Sequence, residues 1–282
     1  MTSIVDIHPH IISSDEVAYP RNPLNGVPSI WSKNRPTSWQ QLIDAMDEAQ
    51  VAKAAIVQAS TCYGFDNSYV ADAVQARPER FTGVFSIDLM AKDAPERMRY
   101  WVERGLTGVR VFTAGSTMPT QANTLDDPRT FPAWQAAQDL NIPFCVQMLP
   151  QGLGMLQTLM EKFPKIKIII DHLMSVPISH GEPYTDSAPL FSLANHPNIY
   201  LKLSIITVRE CKKGLATPES FLGRVVNAFG SHRIAWGSNF PASDGTLLEM
   251  VQETQEALGF LNAKDLENIL SNTAKDLYPA LK

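Results

Sequence analysis

Cysteine, clustered positive charge and long apolar runs are all scarce in this chain, and each scarcity excludes something. The cysteines are three, Cys62, Cys145 and Cys211, odd in number and widely spaced. That pattern supports neither a disulfide frame nor a Cys-ligated zinc site, and reads as free thiols in a reducing, cytoplasmic compartment. No run of four Lys or Arg residues occurs, and the formal net charge is −5 with a pI near 5.7. Nucleic acid is therefore not an expected partner. No stretch reaches the about 18 uninterrupted apolar residues of a membrane span. Met1-Thr2-Ser3 leads straight into an apolar run, which leaves no room for a secretory signal. There is no Gly-rich turn after the first apolar run, no internal repeat, no low-complexity tract and no linker to a second domain.

What is present is a chain of 282 residues, 44% hydrophobic and 19% charged, enough for a sizeable soluble core. Such a length is usual for an α/β barrel folded as one domain, here 1–282. Strands are predicted from Ile4 and over 54–58, 81–87, 108–112, 143–147, 166–171, 199–203 and 234–236. Ser38 and Gln41 form a capping box that opens the first helix. Further helices are predicted over 69–77, 95–103, 132–140, 154–163, 190–195, 218–229 and 247–258, with an extra one over 263–270. Eight such units point to a closed (β/α)8 barrel, often called a TIM barrel, more than to an open doubly wound sheet. The long irregular stretch 11–35 carries Pro20, Pro23 and Pro28 and reads as a lid or wall, from which Tyr19, Arg21, Asn25 and Trp31 could reach a ligand.

The stretch Ile4-Val5-Asp6-Ile7-His8-Pro9-His10 is the focus of the chain. Read with period two, Ile4, Asp6, His8 and His10 share one face, so two imidazoles point the same way about 7 Å apart along the backbone. A further histidine, His172, ends the sixth predicted strand. Strand ends of a barrel converge on one mouth. Those ends supply His8 and His10, Ser60, Arg110, Gln147, Asp171 and His172, Lys202 and Ser204 with Arg209 beyond, and Ser238 and Asn239. Three imidazoles from two strands suit Zn²⁺ or another divalent ion with a position left open for water. Asp6 either orients His8 or bonds locally, and Tyr63 and Asn67 are weaker candidates for substrate contact. His196 and His232 are expected in solvent.

These residues carry a resemblance. His8-Pro9-His10, Ile170-Asp171-His172-Leu173, Gly237-Ser238-Asn239-Phe240-Pro241 and the closing Ser271-Asn272-Thr273-Ala274 with Leu277-Tyr278 together resemble the amidohydrolase superfamily. Within it the chain is most similar to the branch of 2-pyrone-4,6-dicarboxylate lactonases, sugar lactonases and 4-sulfomuconolactone hydrolases, in motif order over essentially its whole length. The resemblance implies a hydrolase that opens a lactone or related cyclic ester, one bearing a carboxylate. It implies that His8, His10 and His172 bind one divalent metal, Zn or Mn, in metal-using members and contact the substrate carbonyl in metal-free ones. It implies substrate contacts at Ser60 and Arg110 and, more loosely, a carboxylate clamp at Arg209, whose planar fork suits that task. Arg110 as an ion-pair partner inside the barrel and Arg209 as a surface residue remain open alternatives.

One position departs from the family pattern. Where the eighth strand usually carries an Asp that activates water, this chain has Asn239, an amide that cannot take a proton at neutral pH. Hydrolysis then uses another base, such as a metal-bound hydroxide, Asp244 or His180. Alternatively the reaction needs no such base, as in a metal-dependent decarboxylase or hydratase acting on an aromatic or muconate-type acid. A third account is an engineered Asp→Asn change that traps a complex. Gln147 stands where a second metal would want a histidine, so at most one metal is expected. A barrel that binds a small acid without turning it over is the non-enzymatic alternative. The expected partner is a small molecule, with no membrane, and a homo-oligomer is left open.

Overall fold

The computed structural model describes residues 3–24, 26–113, 115–117 and 123–282, and all eight predicted strands are present. They are β1 (Ile4–Asp6), β2 (Val51–Val57), β3 (Phe81–Ser86), β4 (Leu106–Phe112), β5 (Phe144–Gln147), β6 (Ile168–Ile170), β7 (Ile199–Ser204) and β8 (Ile234–Gly237). Each pairs in parallel with the next, in chain order. Backbone hydrogen bonds from Ile7 N to Trp236 O (3.1 Å), from Asn239 N to His8 O (3.1 Å) and from His10 N to Phe240 O (2.7 Å) join the first strand's end to the last and close the ring. The (β/α)8 barrel expected from the strand and helix alternation is the fold.

Period-two alternation explains its two layers. Ala55, Val57, Val84, Cys145, Ile169 and Ala235 share an interior apolar cluster, while Ala54, Ile56, Phe85, Phe144, Ile168 and Trp236 pack outward among the helices. The interior cluster is sealed from below by the C-terminal segment. Ala274, Leu277, Tyr278 and Leu281 join it, with Tyr278 Oη 3.3 Å from Cys145 Sγ. Gly108 makes the room, since a Cβ there would lie 2.8 Å from Tyr278 Cε1. Lys53 Nζ donates to Lys282 O, and Lys167 Nζ to Asp276 O at 2.9 Å, which holds this plug against the ends where β2 and β6 begin.

The capping box opens the helix Trp39–Glu48, with Gln41 N donating to Ser38 Oγ (3.2 Å) and Ser38 N to Gln41 Oε1 (2.8 Å). The helix expected over 190–195 forms instead as Ala188–Phe191, with Pro189 in its first turn, where a missing N–H costs nothing. The extra helix over 263–270 is broken into Ala263–Glu267, a π-helical turn Asn268–Asn272, and Thr273–Leu277. Among the described residues, three short α-helices were not expected: Ile30–Asn34 within the long irregular stretch, Ser60–Tyr63, and Ile205–Glu210. In the last, Ile205, Ile206, Thr207 and Val208 are all β-branched, and the burial of Ile205 and Val208 overrides their weak helix preference. No described helix is long and apolar enough to cross a membrane.

Candidate active site

The end of β1 is bent before it delivers its histidines. Regular pairing stops at Asp6 and the register shifts between Ile4 and Val5, so the shared face read from Ile4 to His10 does not extend through the pair. Asp6 Oδ1 accepts the backbone N–H groups of His8 and Ser238, each at 2.8 Å, which ties the end of β1 to the end of β8. Gly237 lets them approach, because a Cβ at that position would lie 2.6 Å from His8 Cβ. The His8 ring centroid then lies 4.9 Å from that of His10 and 4.8 Å from that of His172. His172 leaves β6 in a run of left-handed residues, with φ of 50°, 49°, 61° and 49° at His172, Leu173, Met174 and Ser175. Such backbone costs roughly 1–2 kcal/mol per residue. The burial of His172, Leu173 and Met174 is what holds the turn.

All three rings are buried, and each has a nitrogen to spare. His8 has no hydrogen-bond partner at either nitrogen. His10 Nδ1 lies 2.7 Å from the Val57 carbonyl, which only accepts, so Nδ1 carries the hydrogen and Nε2 keeps a lone pair. His172 Nδ1 lies 2.7 Å from Ser204 Oγ. Burial first, then the nearby Arg110, brings His10 down to about 3. Burial also brings His172 to about 3, against the opposing pull of Asp171. His8 falls well below its ordinary value through burial, Lys202 and Arg110. At neutral pH the rings are therefore uncharged, the form that ligates metals. Trp31, from the long irregular stretch, stacks on His10 with 5.2 Å between ring centroids.

Beside the rings lies a buried charge cluster. Arg110 Nε donates to Asp171 Oδ2 at 2.8 Å, and Lys202 Nζ lies 2.7 Å from Asp171 Oδ1 without hydrogen-bond alignment. Arg110 also donates to Gln147 Oε1 and sits over the Phe112 ring, and Lys202 Nζ is 3.7 Å from Cys145 Sγ. Burial by itself would raise the Asp171 pKa. Lys202 and Arg110 together outweigh it and hold the carboxyl well below the usual carboxylate range. Among the described residues, His8, Asp171 and His172 form the group whose ligand atoms, within 4.8 Å of one another, could hold a metal ion. Both Asp171 oxygens already face cations, so the imidazoles are the freer donors. Orphaned nitrogens on a buried His8, with uncharged rings on either side, fit a divalent ion.

The other sequence candidates have internal partners. Ser60 Oγ donates to Gln58 Oε1 (2.7 Å) and lies 2.8 Å from Ser86 Oγ. Arg209 grips Glu253 through Nε (3.0 Å) and Nη2 (2.7 Å), with Nη1 on Asp244 O (2.8 Å). Asn239 stands at the mouth, mostly buried, its backbone N–H on His8 O and its Nδ2 donating to Ser243 Oγ at 2.9 Å. Its φ of 60° is one that Asn and Asp adopt more readily than other side chains, so the backbone there suits amide and acid alike. Asp244 pairs with Arg35 and His180 with Asp186, and both side chains are largely exposed. Tyr19 donates to Asp72, Arg21 to Tyr63, and Asn67 to the Phe65 and Ser86 carbonyls. Asn25 lies outside the described residues. His232 is exposed and His196 half-buried.

Lys202 and Ser204 stand at a strand end, where the sequence by itself gives them no role. A lysine within the otherwise apolar run Ile199-Tyr200-Leu201-Lys202-Leu203 was the available signal. Nor does the sequence reveal a cavity of about 420 Å³ lined by His172, the turn that follows it and the helix Ile205–Glu210.

A family model described as Amidohydrolase matches residues 5–280. The chain belongs to the amidohydrolase family. This amidohydrolase is similar to an L-fucono-1,5-lactonase of Burkholderia ambifaria, 26% identical over 247 residues that cover 86% of this chain and 82% of the relative. In three dimensions it is similar to a Pseudomonas putida protein proposed to be a 2-pyrone-4,6-dicarboxylic acid hydrolase, with a TM-score of 0.79 and 20% identity over 99% of this chain and 98% of that one. It is likewise similar to a zinc-bound Burkholderia multivorans amidohydrolase, with a TM-score of 0.77 and 18% identity over 98% and 99% of the two chains. At these identities the two structures attest the fold. Family and curated relative together make this amidohydrolase a hydrolase.

Proposed function

We propose that this amidohydrolase opens a lactone or related cyclic ester, with His8, His10 and His172 at the centre of the reaction. The observation that carries the reading is the convergence of three buried, uncharged imidazoles at the barrel mouth, with ring centroids 4.8 and 4.9 Å apart. The lactonase relative supports the choice of ester. A divalent ion would be held by His8 and His172, with His10 or Asp171 beside them, and would supply Lewis acidity toward the ester carbonyl, imidazole donors suiting Zn²⁺ and the added carboxylate Mn²⁺.

The chain's own groups act around that centre. His8 keeps a ring N–H and a lone pair, neither taken by protein, so it can ligate the ion or, without one, donate to the ester carbonyl oxygen. His10 commits its N–H to Val57 and presents only Nε2. The fixed charges of Arg110 and Lys202, exceeding that of Asp171 by one, favour negative charge developing beside the rings. Asn239 orients water through its amide oxygen and leaves the proton to another acceptor.

The reading predicts a proton released for each ring opened, followed by pH-indicator absorbance in weakly buffered lactone. Carbon dioxide release without ring opening would overturn it. The second reading, a metal-dependent decarboxylase or hydratase on an aromatic or muconate-type acid, is favoured by the amide at Asn239. Carbon dioxide evolved from such an acid after Mn²⁺ addition is its signature.

A further inference from the structure

The cavity beside His172 falls within the size range of small-ligand sites, at about 420 Å³. Val176, Pro177, Ile178, Ile206 and Phe221 give it carbon walls, and Glu210 gives it a carboxylate. No lysine or arginine lines it. The segment 171–187 on one side contains neither residue type, nor do positions 114 and 118–122, which lie outside the described set. Along the helix Ile205–Glu210 and the turn after it each basic residue is already paired, Arg209 with Glu253, Lys212 with Glu256, and Lys213 with Glu210 itself, while Arg224, one turn beyond Phe221, bonds the Pro183 carbonyl and lies over the Phe191 ring. The two cations of the barrel interior face Asp171 beside the rings and do not line this cavity. An anionic group seated against Glu210 would leave water for a carboxylate and meet no unpaired cation in the lining, which is unfavourable.

Resting on the lactonase reading, we infer that this cavity seats the part of the substrate beyond the lactone ring and selects an uncharged arm. Hydroxyl groups on that arm donate to Glu210, and its carbon edges lie against Val176, Ile178 and Ile206. This is the opposite preference to a carboxylate clamp at Arg209, and it makes Glu210 a specificity-determining residue.

The test compares a neutral six-carbon aldono-1,5-lactone with a pyrone dicarboxylate lactone. The wild-type enzyme is expected to favour the neutral lactone in kcat/KM. Glu210→Lys should lower that value for the neutral lactone and raise it for the dicarboxylate, each by about tenfold, the scale of one charge-assisted hydrogen bond. Glu210→Gln should move the ratio the same way by less. Lys213→Met removes the surface partner of Glu210 and leaves its carboxylate in place, so the ratio should hold or move further toward the neutral lactone, which separates specificity from any loss of folding. Binding is read independently as the melting-temperature shift given by a neutral aldonolactam against that given by the dicarboxylate. A wild-type preference for the dicarboxylate, or a ratio unmoved in Glu210→Lys, overturns the cavity assignment while lactone turnover survives. If no lactone turns over but the lactam still stabilises more than the dicarboxylate and loses that advantage in Glu210→Lys, the lactonase reading falls and the selection of an uncharged ligand stands.

Discussion

Where the strands begin, the barrel interior is filled by Val84, Ile169 and Cys145 against Leu277, Tyr278 and Leu281. Where they finish, the same enclosed space holds Arg110, Asp171, Lys202 and three histidines. Exposure does not distinguish the two ends, since Lys202 and Leu281 are both 0% exposed. What differs is the energetics. Apolar packing stabilises in proportion to the area it removes from water, whereas a buried ion cluster has to recover the desolvation of every member and often only breaks even. The lower end is therefore the part that holds the fold together, and the upper end is charge retained for chemistry.

The largest expected effect comes from breaking the charge cluster. Asp171→Asn leaves Arg110 and Lys202 facing each other without an anion and should cost about 3–5 kcal/mol of stability, read from the denaturant midpoint. A midpoint within error of wild type would show the three charges to be independent. His8→Ala should do the reverse, lowering turnover by a factor of about 10³, about 4 kcal/mol of barrier, with little change in the unfolding midpoint. Leu281→Ala, at the other end, should lose about 2–4 kcal/mol of stability while kcat stays near wild type. A large fall in kcat there would mean that the two ends are coupled after all.

Smaller effects sharpen the contrast. Asn239→Asp, at a backbone suited to either residue, should raise lactone hydrolysis more than about tenfold, or 1.4 kcal/mol of barrier. No rise in steady-state rate would indicate that another group already serves as base. Tyr278→Phe deletes the hydroxyl facing Cys145 and should shift stability by only about 1 kcal/mol, as measured by thermal unfolding.

The fold was legible because the strands are short apolar runs with helical patterns between them. Ile168-Ile169-Ile170 and Phe144-Cys145-Val146 need no tertiary information to be read as buried strands. The convergence of the three histidines was legible for a related reason: a barrel sends every strand end to one rim, so His172 could be placed beside His8 from strand count alone. What was not legible depends on partners far along the chain. Arg209 reads as a free guanidinium until Glu253 is seen to hold both ends of its fork. The bonds that Gln58 and Ser86 make to the Ser60 hydroxyl are likewise invisible from the local sequence. The helix Ile205–Glu210 was invisible because its β-branched residues resemble a strand continuation, and with it went the cavity it helps to line. The bend after Asp6 also escaped period-two reasoning, which describes a strand and not its end.

The seam between β1 and β8 has a consequence for how the molecule comes into being. His8 is fixed in place by Gly237, Ser238 and Asn239, groups that leave the ribosome more than two hundred residues after it. A nascent chain halted before β8 holds its first two histidines from the β2 side alone, through Val57, and lacks the contacts that set His8. Catalytic competence should thus arrive late and all at once during synthesis, as the final strand docks.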